Sequence, residues 1–363
     1  MKGSRRFLLY SLGSLAAASV AGRLVTRRDA QRPDPAADEH LGSIRGERRL
    51  VRGPRASTIY TEWFPPGDGG SGTVIFTHGW CLTEAVWHYQ KRDLAGGSFG
   101  VVTWDLPYHG HSSAASPNGL SLDLCADALA RVVDEYSDGE VVLVGHSLGG
   151  IVTLTYLAQH PEAAARIRGA VLVSAPMTHL ARSLAGRWPG AGIEARAVER
   201  VVEYVVRSQI ADRLIARDVG DEELNRLSYR IVRFGFGKDP SPSHVRFIRD
   251  VIASVPPKAR ADTYHAMSAY DASNELWRIK TPSLVVLGTR DRLVNPEESR
   301  LLADRLPRAR TVALDDAGHT SFLTAHERFN AEIRRFAERR LGVARGGQPL
   351  RSGRRVSRPR ADR

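Results

Sequence analysis

A serine between small residues is the feature of this sequence with the clearest chemical meaning. It lies in the segment GHSLGG, Gly145 to Gly150, directly after the apolar run Val141 to Val144. Such a serine could belong to a plain turn, to a phosphate-binding loop or to a nucleophile. The segment lacks the spacing G-x-x-x-x-G-K-[ST] of a phosphate-binding loop, including its lysine. The pattern G-x-S-x-G between a strand and a helix instead predicts a nucleophile elbow that presents Ser147 at a strand end.

The residues around Ser147 must allow a sharp turn, and its hydroxyl must be activated. Gly145 and Gly149 supply the small residues that the turn requires. A serine hydroxyl is a weak nucleophile, so it needs a base within hydrogen-bond reach and a carboxylate that orients the base. Asp291 and His319 each follow an apolar run, in the chain order serine, acid, histidine. The sequence therefore predicts these three as the catalytic residues.

Other acids and histidines compete for the same roles. Asp315 and Asp316 lie too close to His319 along the chain to approach it from a separate strand end, so Asp291 is favoured. A lone histidine after a strand is more often structural than catalytic. Structural or supporting roles are therefore predicted for the remaining candidates, which are His146, His109 and His111.

Acyl transfer through a serine also requires two N–H groups that bind the negative charge developing on the carbonyl oxygen. Leu148, which follows the serine, supplies one backbone N–H. The segment FTHGWCL supplies the second, because Gly79 allows close backbone approach and Trp80 would present its N–H. His78 and Gly79 are predicted to support this loop. The predicted oxyanion hole thus consists of Trp80 and Leu148.

The elements that must position these residues alternate along the chain. Short Val-rich runs are typical of strands buried on both faces of a parallel sheet, and segments with helical spacing lie between them, as in 120–136 and 150–159. Two alternating stretches between about Arg48 and Phe64 predict an antiparallel pair before the sheet. The predicted fold is α/β, a mainly parallel sheet flanked by helices. Its buried strands are predicted at 73–78, 100–105, 140–146, 169–175, 283–289 and 310–316.

A long interruption separates the fourth and fifth of these buried runs. Residues 176–278 carry helical patterns without a buried strand. An insertion between two strands usually covers the carboxyl edge of the sheet, where ligands bind. The segment is therefore predicted to be a helical cap over the site. Its aromatic and methionine residues are candidates for an apolar acyl pocket: Met177, Trp188, Tyr229, Phe234, Phe236, Tyr264, Met267 and Tyr270.

With these motifs in place, the sequence resembles the α/β-hydrolase superfamily over roughly residues 48–342. The resemblance is strongest at His78 to Trp80, Asp105 to Ser112 and Gly145 to Gly150, with Asp291 and His319. It implies an α/β-hydrolase fold and a two-step acyl transfer without a metal or organic cofactor. The segment DLPYHGHS departs from the common D-x-x-G-x-G-x-S pattern, which affects loop packing and leaves the triad unchanged.

The basic residues of the chain are concentrated at its ends when they are counted along the sequence. The formal net charge is +12, yet residues 1–55 hold twelve Lys and Arg against five Asp and Glu, and residues 345–363 hold seven Arg against one Asp. The middle is close to neutral. Nucleic acid is therefore not an expected partner, whereas anionic lipid or the cell envelope is.

The N-terminus has the layout of an export signal or membrane anchor. A basic start precedes sixteen uncharged residues, Phe7 to Gly22, and Ser4 to Leu9 resembles the twin-arginine motif. Export or membrane association is predicted in preference to a cytoplasmic location. The predicted domains are a signal-like or anchor segment (1–28), a linker (29–47), the hydrolase core (48–175 and 279–342), the cap (176–278) and a basic disordered tail (343–363).

The predicted activity is hydrolysis of a carboxylic ester, with a small molecule or a lipid such as an acylglycerol as substrate. The same triad could cleave carbon–carbon bonds or lactones or act as a haloperoxidase, and a receptor-like protein could retain a vestigial triad. The two cysteines, Cys81 and Cys125, are too few for a disulfide scaffold, and two free buried thiols are favoured over one bridge. The oligomeric state is not predicted.

Overall fold

A single eight-stranded sheet organises the chain. The computed structural model describes residues 32–113, 119–136, 139–164, 166–178 and 222–343. The strand order is β1-β2-β4-β3-β5-β6-β7-β8, in which β1 and β2 are antiparallel to their neighbours and every other pairing is parallel. The strands are β1 (Glu47–Arg52), β2 (Thr58–Phe64), β3 (Thr73–Thr77), β4 (Gly100–Trp104), β5 (Val141–His146), β6 (Ile167–Val173), β7 (Ser283–Gly288) and β8 (Ala309–Leu314).

The predicted strands and their antiparallel entry pair are confirmed. Every residue of β3, β4, β5 and β7 is buried, as expected for parallel strands covered on both faces. The helices are α1 (His88–Leu94), α2 (Leu122–Tyr136), α3 (Leu148–Gln159), α4 (Pro161–Ala164), α5 (Glu222–Phe234), α6 (Pro242–Ser254), α7 (Pro257–Ser268), α8 (Pro296–Arg305), α9 (Ser321–Thr324) and α10 (His326–Leu341). None of these described helices is long and apolar enough to cross a bilayer.

The two faces of the sheet carry separate apolar clusters. One cluster joins α2, α3 and α8 to the sheet, and the other joins α1, α6 and α10 to it. Residues that alternate along one strand supply both clusters, since Val142 and Val144 contribute to one and Val141 and Leu143 to the other. The predicted α/β architecture is thereby confirmed.

Helices α5, α6 and α7 form the described part of the interval predicted as a cap. They lie between β6 and β7 in the chain, and α5 and α6 contribute Val232, Val245, Ile248 and Val251 to the second cluster. The structure does not describe residues 179–221, so Trp188 lies outside it. The export signal and the C-terminal tail predicted from residue 343 onward likewise fall on positions outside the described residues, apart from Val343.

The start of the described chain, part of the predicted linker, lies against the beginning of α6 and against α1. The Asp34 carboxylate accepts hydrogen bonds from the backbone N–H and hydroxyl of Ser243, at 3.0 and 2.7 Å, and from Arg246 at 2.9 Å. Further along, the backbone N–H of Gly42 donates to Nδ1 of His88. These contacts hold residues 32–42 against α6, which belongs to the insertion, and against α1.

Candidate active site

Ser147 lies in a strained turn between β5 and α3. Its backbone has φ 51° and ψ −113°, a conformation that costs a non-glycine residue about 1–3 kcal/mol and persists only where the surroundings enforce it. The Ser147 N–H donates to the carbonyl of Val173 at 2.8 Å, and the Ser147 carbonyl accepts from Gly150 and Ile151 in the first turn of α3. The turn therefore has the geometry of a nucleophile elbow at the carboxyl end of the sheet.

Two glycines allow this turn because backbone atoms crowd their α-carbons. A Cβ on Gly145 would lie 2.3 Å from the carbonyl oxygen of Gly149, and a Cβ on Gly149 would lie 2.3 Å from that of Thr77. Backbone atoms cannot move aside as a flexible side chain would. The small residues predicted around Ser147 thus have a steric cause.

Substitution of Gly149 should be destabilising for the same reason. We expect Gly149→Ala to lower the free energy of unfolding by about 2–3 kcal/mol, since the added methyl group displaces β3 from α3. Gly139→Ala is the matched control, because among the described residues a Cβ there meets nothing closer than 3.9 Å. Urea denaturation of both variants measures the difference, and equal stability of the two would contradict the steric argument.

The carboxyl ends of β7 and β8 bring Asp291 and His319 together. Nδ1 of His319 lies 2.9 Å from Oδ2 of Asp291, while Oδ1 of Asp291 accepts the backbone N–H groups of Leu293 at 2.9 Å and Val294 at 3.0 Å. The His319 backbone N–H donates to the carbonyl of Gly235 at 2.8 Å. Since a carboxylate only accepts, it fixes the proton on Nδ1 and leaves the lone pair of neutral His319 on Nε2.

The competing acids are engaged elsewhere. Asp316 pairs with Arg290, and Asp315 lies 3.2 Å from Arg328; both carboxylates are on the surface. The two loop histidines lie around Asp105 at the end of β4, whose carboxylate accepts the backbone N–H of His111 at 2.8 Å. Burial, with the nearby His78, lowers the pKa of His109 to about 3. These residues contact the loop framework, in line with the supporting role predicted for them.

The loop after β3 holds the residues predicted to form the oxyanion hole. His78 is fully buried, donates from Nδ1 to the Gly79 carbonyl at 2.8 Å and accepts the Leu106 N–H at Nε2 at 3.0 Å. A Cβ on Gly79 would lie 2.6 Å from the ring of His146, so a side chain there would push the loop away. Trp80 is anchored by its indole N–H, which donates to the Arg260 carbonyl at 2.9 Å.

The backbone N–H groups of Trp80 and Leu148 remain available for a ligand. Neither donates in the backbone hydrogen bonds found within the described ranges. Leu148 is the first residue of α3, where backbone N–H groups have no partner inside the helix and the helix dipole favours negative charge. Trp80 lines the same cavity as Ser147, and Leu148 directly follows Ser147 in the chain. Their role as oxyanion donors stays a prediction.

His146, predicted to be structural, contacts the backbone of His319. Its Nε2 lies 3.0 Å from the carbonyl oxygen of His319, and its ring contacts Phe322. Burial and the nearby His319 hold the pKa of His146 well below its usual value. A neutral ring can then donate its Nε2 proton to the His319 carbonyl.

A cavity of about 310 Å³ opens between the sheet edge and helices α5–α7. Ser147 and His319 both line it, and most of its wall is aliphatic. Of the candidates named from the sequence, Phe236 and Met267 line this cavity. Sequence reasoning missed the aliphatic wall, because an apolar residue that lines a pocket looks the same in a sequence as one that packs in a core. The missed residues are Leu82, Ile151, Ile231, Val232, Ile248, Ile252 and Leu293.

The other described candidates lie outside this wall. Tyr264 packs against the Trp80 ring, Tyr270 and Met177 are buried in the cluster that includes α2, and Phe234 is exposed beneath Arg292. Tyr229 packs partly buried against the other cluster. Cys81 and Cys125 are both free and buried, in agreement with the favoured expectation.

Comparison with known proteins identifies the family. The family model described as alpha/beta hydrolase fold matches residues 72–325. The chain belongs to this family. The α/β hydrolase is 27% identical over 268 residues to the pimeloyl-[acyl-carrier protein] methyl ester esterase of Aeromonas hydrophila, a match that covers 74% of this chain and 96% of that protein.

Solved structures show the same fold. A thermophilic esterase from Thermogutta terrifontis matches with a TM-score of 0.64 and 23% identity, over 82% of this chain and all of that one. An esterase from Exiguobacterium antarcticum matches with a TM-score of 0.66 and 18% identity, over 81% and 100%. These two structures show the shared fold, and the family match together with the esterase relatives makes the α/β hydrolase an enzyme.

Proposed function

We propose that this α/β hydrolase cleaves carboxylic esters with an apolar acyl group, through an acyl-enzyme on Ser147. The observation that carries the proposal is the cavity in which Ser147 and an Asp291-oriented His319 meet an aliphatic wall. The similar pimeloyl-[acyl-carrier protein] methyl ester esterases support ester cleavage as the reaction.

The proposed reaction has two steps. His319 accepts the Ser147 proton at Nε2 as the oxygen attacks the ester carbonyl, and the N–H groups of Trp80 and Leu148 bind the oxyanion. The protonated His319 then donates that proton to the departing alcohol, which leaves an acyl-enzyme. In the second step His319 deprotonates a water molecule, which attacks the acyl carbonyl, and Ser147 recovers its proton as the acid leaves.

The aliphatic wall supports an apolar acyl group as the preferred part of the substrate. No Asp, Glu, Lys or Arg side chain occurs among the described residues that line the cavity. Each methylene group buried there would contribute about 0.8 kcal/mol to binding. A lipid ester such as an acylglycerol is the substrate class that we propose.

A membrane-facing location fits this substrate. Asp34 is bound to the start of α6, one of the helices that cover the cavity. If the apolar stretch at residues 7–22 anchors the protein or guides its export, the anchor would join the molecule on the cavity side. An ester in the outer part of a bilayer would then lie close to the cavity.

Hydrolysis of nitrophenyl esters of increasing acyl length tests the proposal. We expect kcat/KM to rise by up to about fourfold per added methylene over the first members of the series. Ile231, 47% exposed on the cavity wall, gives a variant that should fold normally; Ile231→Ser should flatten this rise.

Leu301→Ser is the matched control for that variant. Leu301 is similarly exposed, at 50%, but lies on α8 away from the cavity. The Leu301→Ser variant should show the same rise of kcat/KM with acyl-chain length as the unaltered enzyme. A marked preference of the unaltered enzyme for acetate over longer esters would count against an apolar acyl substrate.

A further inference from the structure

A second cavity, of about 500 Å³, lies at the opposite edge of the sheet from Ser147. Its wall comes from the start of β6, the segments before β7 and β8 and the last turn of α10. Strands of six residues separate the two edges by about 20 Å. Six basic side chains line it, and no acidic residue does so among its described lining: Arg168, Arg278, Lys280, Arg308, Arg339 and Arg340.

Within the described structure, one cation of this basic pocket pairs with a carboxylate and the other five do not. Arg168 has one partner, Glu140, at 3.1 Å. Across the described chain, no ion pair involves the other five. Lys280 donates to the carbonyl of Trp277, and the Arg278 guanidinium lies 5.5 Å from the Trp277 ring centre.

Arg340 is the least exposed of the six basic residues that line the pocket. Its side chain packs over Phe336, and its Nε atom is buried without a hydrogen-bond partner in the described structure. Burial and the charges of Arg308, Arg339, Arg310 and Arg168 lower the pKa of Arg340. The like charges of the cluster repel one another, although five of the six side chains are exposed to solvent, and a bound anion would offset this repulsion.

Helix capping accounts for only part of the cluster. Arg339 and Arg340 lie in the last turn of α10, where positive side chains interact favourably with the helix dipole. Lys280 donates to the Trp277 carbonyl at the end of a short 3-10 helix, Leu276–Arg278, whereas Arg308 and Arg168 come from two further segments and cap no helix. Their convergence on one cavity is therefore left unexplained by local structure.

We propose that this basic pocket binds a phosphate-bearing anion. The guanidinium group is planar, keeps its charge and matches the geometry of phosphate oxygens with paired N–H donors. The apolar floor, which includes Leu157, Ile167 and Ile279, allows the ligand a short apolar portion next to its phosphate. Inorganic phosphate compounds and phospholipid headgroups share this chemistry.

The position of the pocket favours a dissolved ligand over a lipid. The N-terminal segment, residues 32–39, lines a cavity together with His326, the first residue of α10, whereas the basic pocket lies at the end of that helix. Sixteen residues of helix span about 24 Å. A bilayer that faces the N-terminal segment would therefore lie on the far side of the molecule from the basic pocket.

Calorimetric titration of the full chain with inorganic pyrophosphate at fixed ionic strength tests the site. We expect saturable binding that weakens by at least about tenfold in Arg308→Gln/Arg340→Gln. Arg131→Gln/Arg335→Gln is the control, because both residues are exposed outside the pocket and their replacement changes the net charge equally. Thermal unfolding of each variant establishes that it is folded.

A second arm distinguishes the source of the phosphate. Sedimentation with phosphatidylcholine vesicles containing about one third phosphatidylglycerol measures lipid binding. Pyrophosphate binding without a variant effect on sedimentation indicates a dissolved ligand, and a variant effect on sedimentation indicates a headgroup. No binding of either probe, or equal losses in the pocket and control variants, would overturn the proposal. Lys280→Gln offers an independent second variant with the same expectation.

Discussion

Ser147→Ala should reduce kcat for nitrophenyl ester hydrolysis by a factor on the order of 10⁵ to 10⁶. Alanine lacks the oxygen that forms the acyl-enzyme, while His319 and the N–H groups of the oxyanion hole would remain. The variant should fold, because alanine and serine meet the same backbone constraint at φ 51°. A fluorophosphonate probe should form an adduct on Ser147 of the unaltered enzyme, and this labelling should be abolished in the variant.

Ser174→Ala is the matched control for this variant. Ser174 also has a positive φ, 46°, and also follows a buried strand, but it is absent from the described lining of the active-site cavity. Its removal should leave hydrolysis and labelling within a few-fold of the unaltered enzyme. A folded unaltered enzyme that forms no adduct at Ser147 would contradict the hydrolase proposal and would favour a binding protein with a vestigial triad.

The sequence was sufficient to predict the parts of this fold that depend on short-range pattern. Val-rich runs revealed β3, β5 and β7 because strands covered on both faces have no polar alternation. The strand ends in turn located Ser147, Asp291 and His319 at one edge, since parallel strands share their direction. The strained backbone of Ser147 and the steric role of Gly149 follow from the same motif.

The two cavities could not be predicted from the sequence, because each is lined by segments that lie far apart along the chain. The wall of the active-site cavity joins α3, α5 and α6, and its aliphatic residues carry no sign in the sequence that separates lining from packing. The basic pocket escaped notice for a related reason. The formal net charge of the middle of the chain is close to zero, so it gave no sign of a local basic cluster. Arg168, Arg308 and Arg340 come together only in the fold.

Asp291→Asn should lower kcat by about 10⁴-fold with a much smaller change in KM. The contacts of Asp291 explain why a substitution of nearly the same shape has so large an effect. Its Oδ1 accepts two backbone N–H groups, from Leu293 and Val294, so the asparagine oxygen must occupy that position. The amide NH₂ then faces Nδ1 of His319 and requires it to be an acceptor. The proton moves to Nε2, and His319 can no longer remove the Ser147 proton.

Asp315→Asn and Asp316→Asn are the controls for this tautomer argument, because both carboxylates are near His319 in the chain but pair with surface arginines. Each should retain activity within a few-fold. The fluorophosphonate reaction of Asp291→Asn should slow in parallel with kcat, since both require the same proton transfer. If Asp316→Asn abolished hydrolysis while Asp291→Asn did not, the acid of the triad would be Asp316. A large effect on KM alone would assign Asp291 to substrate binding, because an interaction that acts only in the transition state lowers kcat.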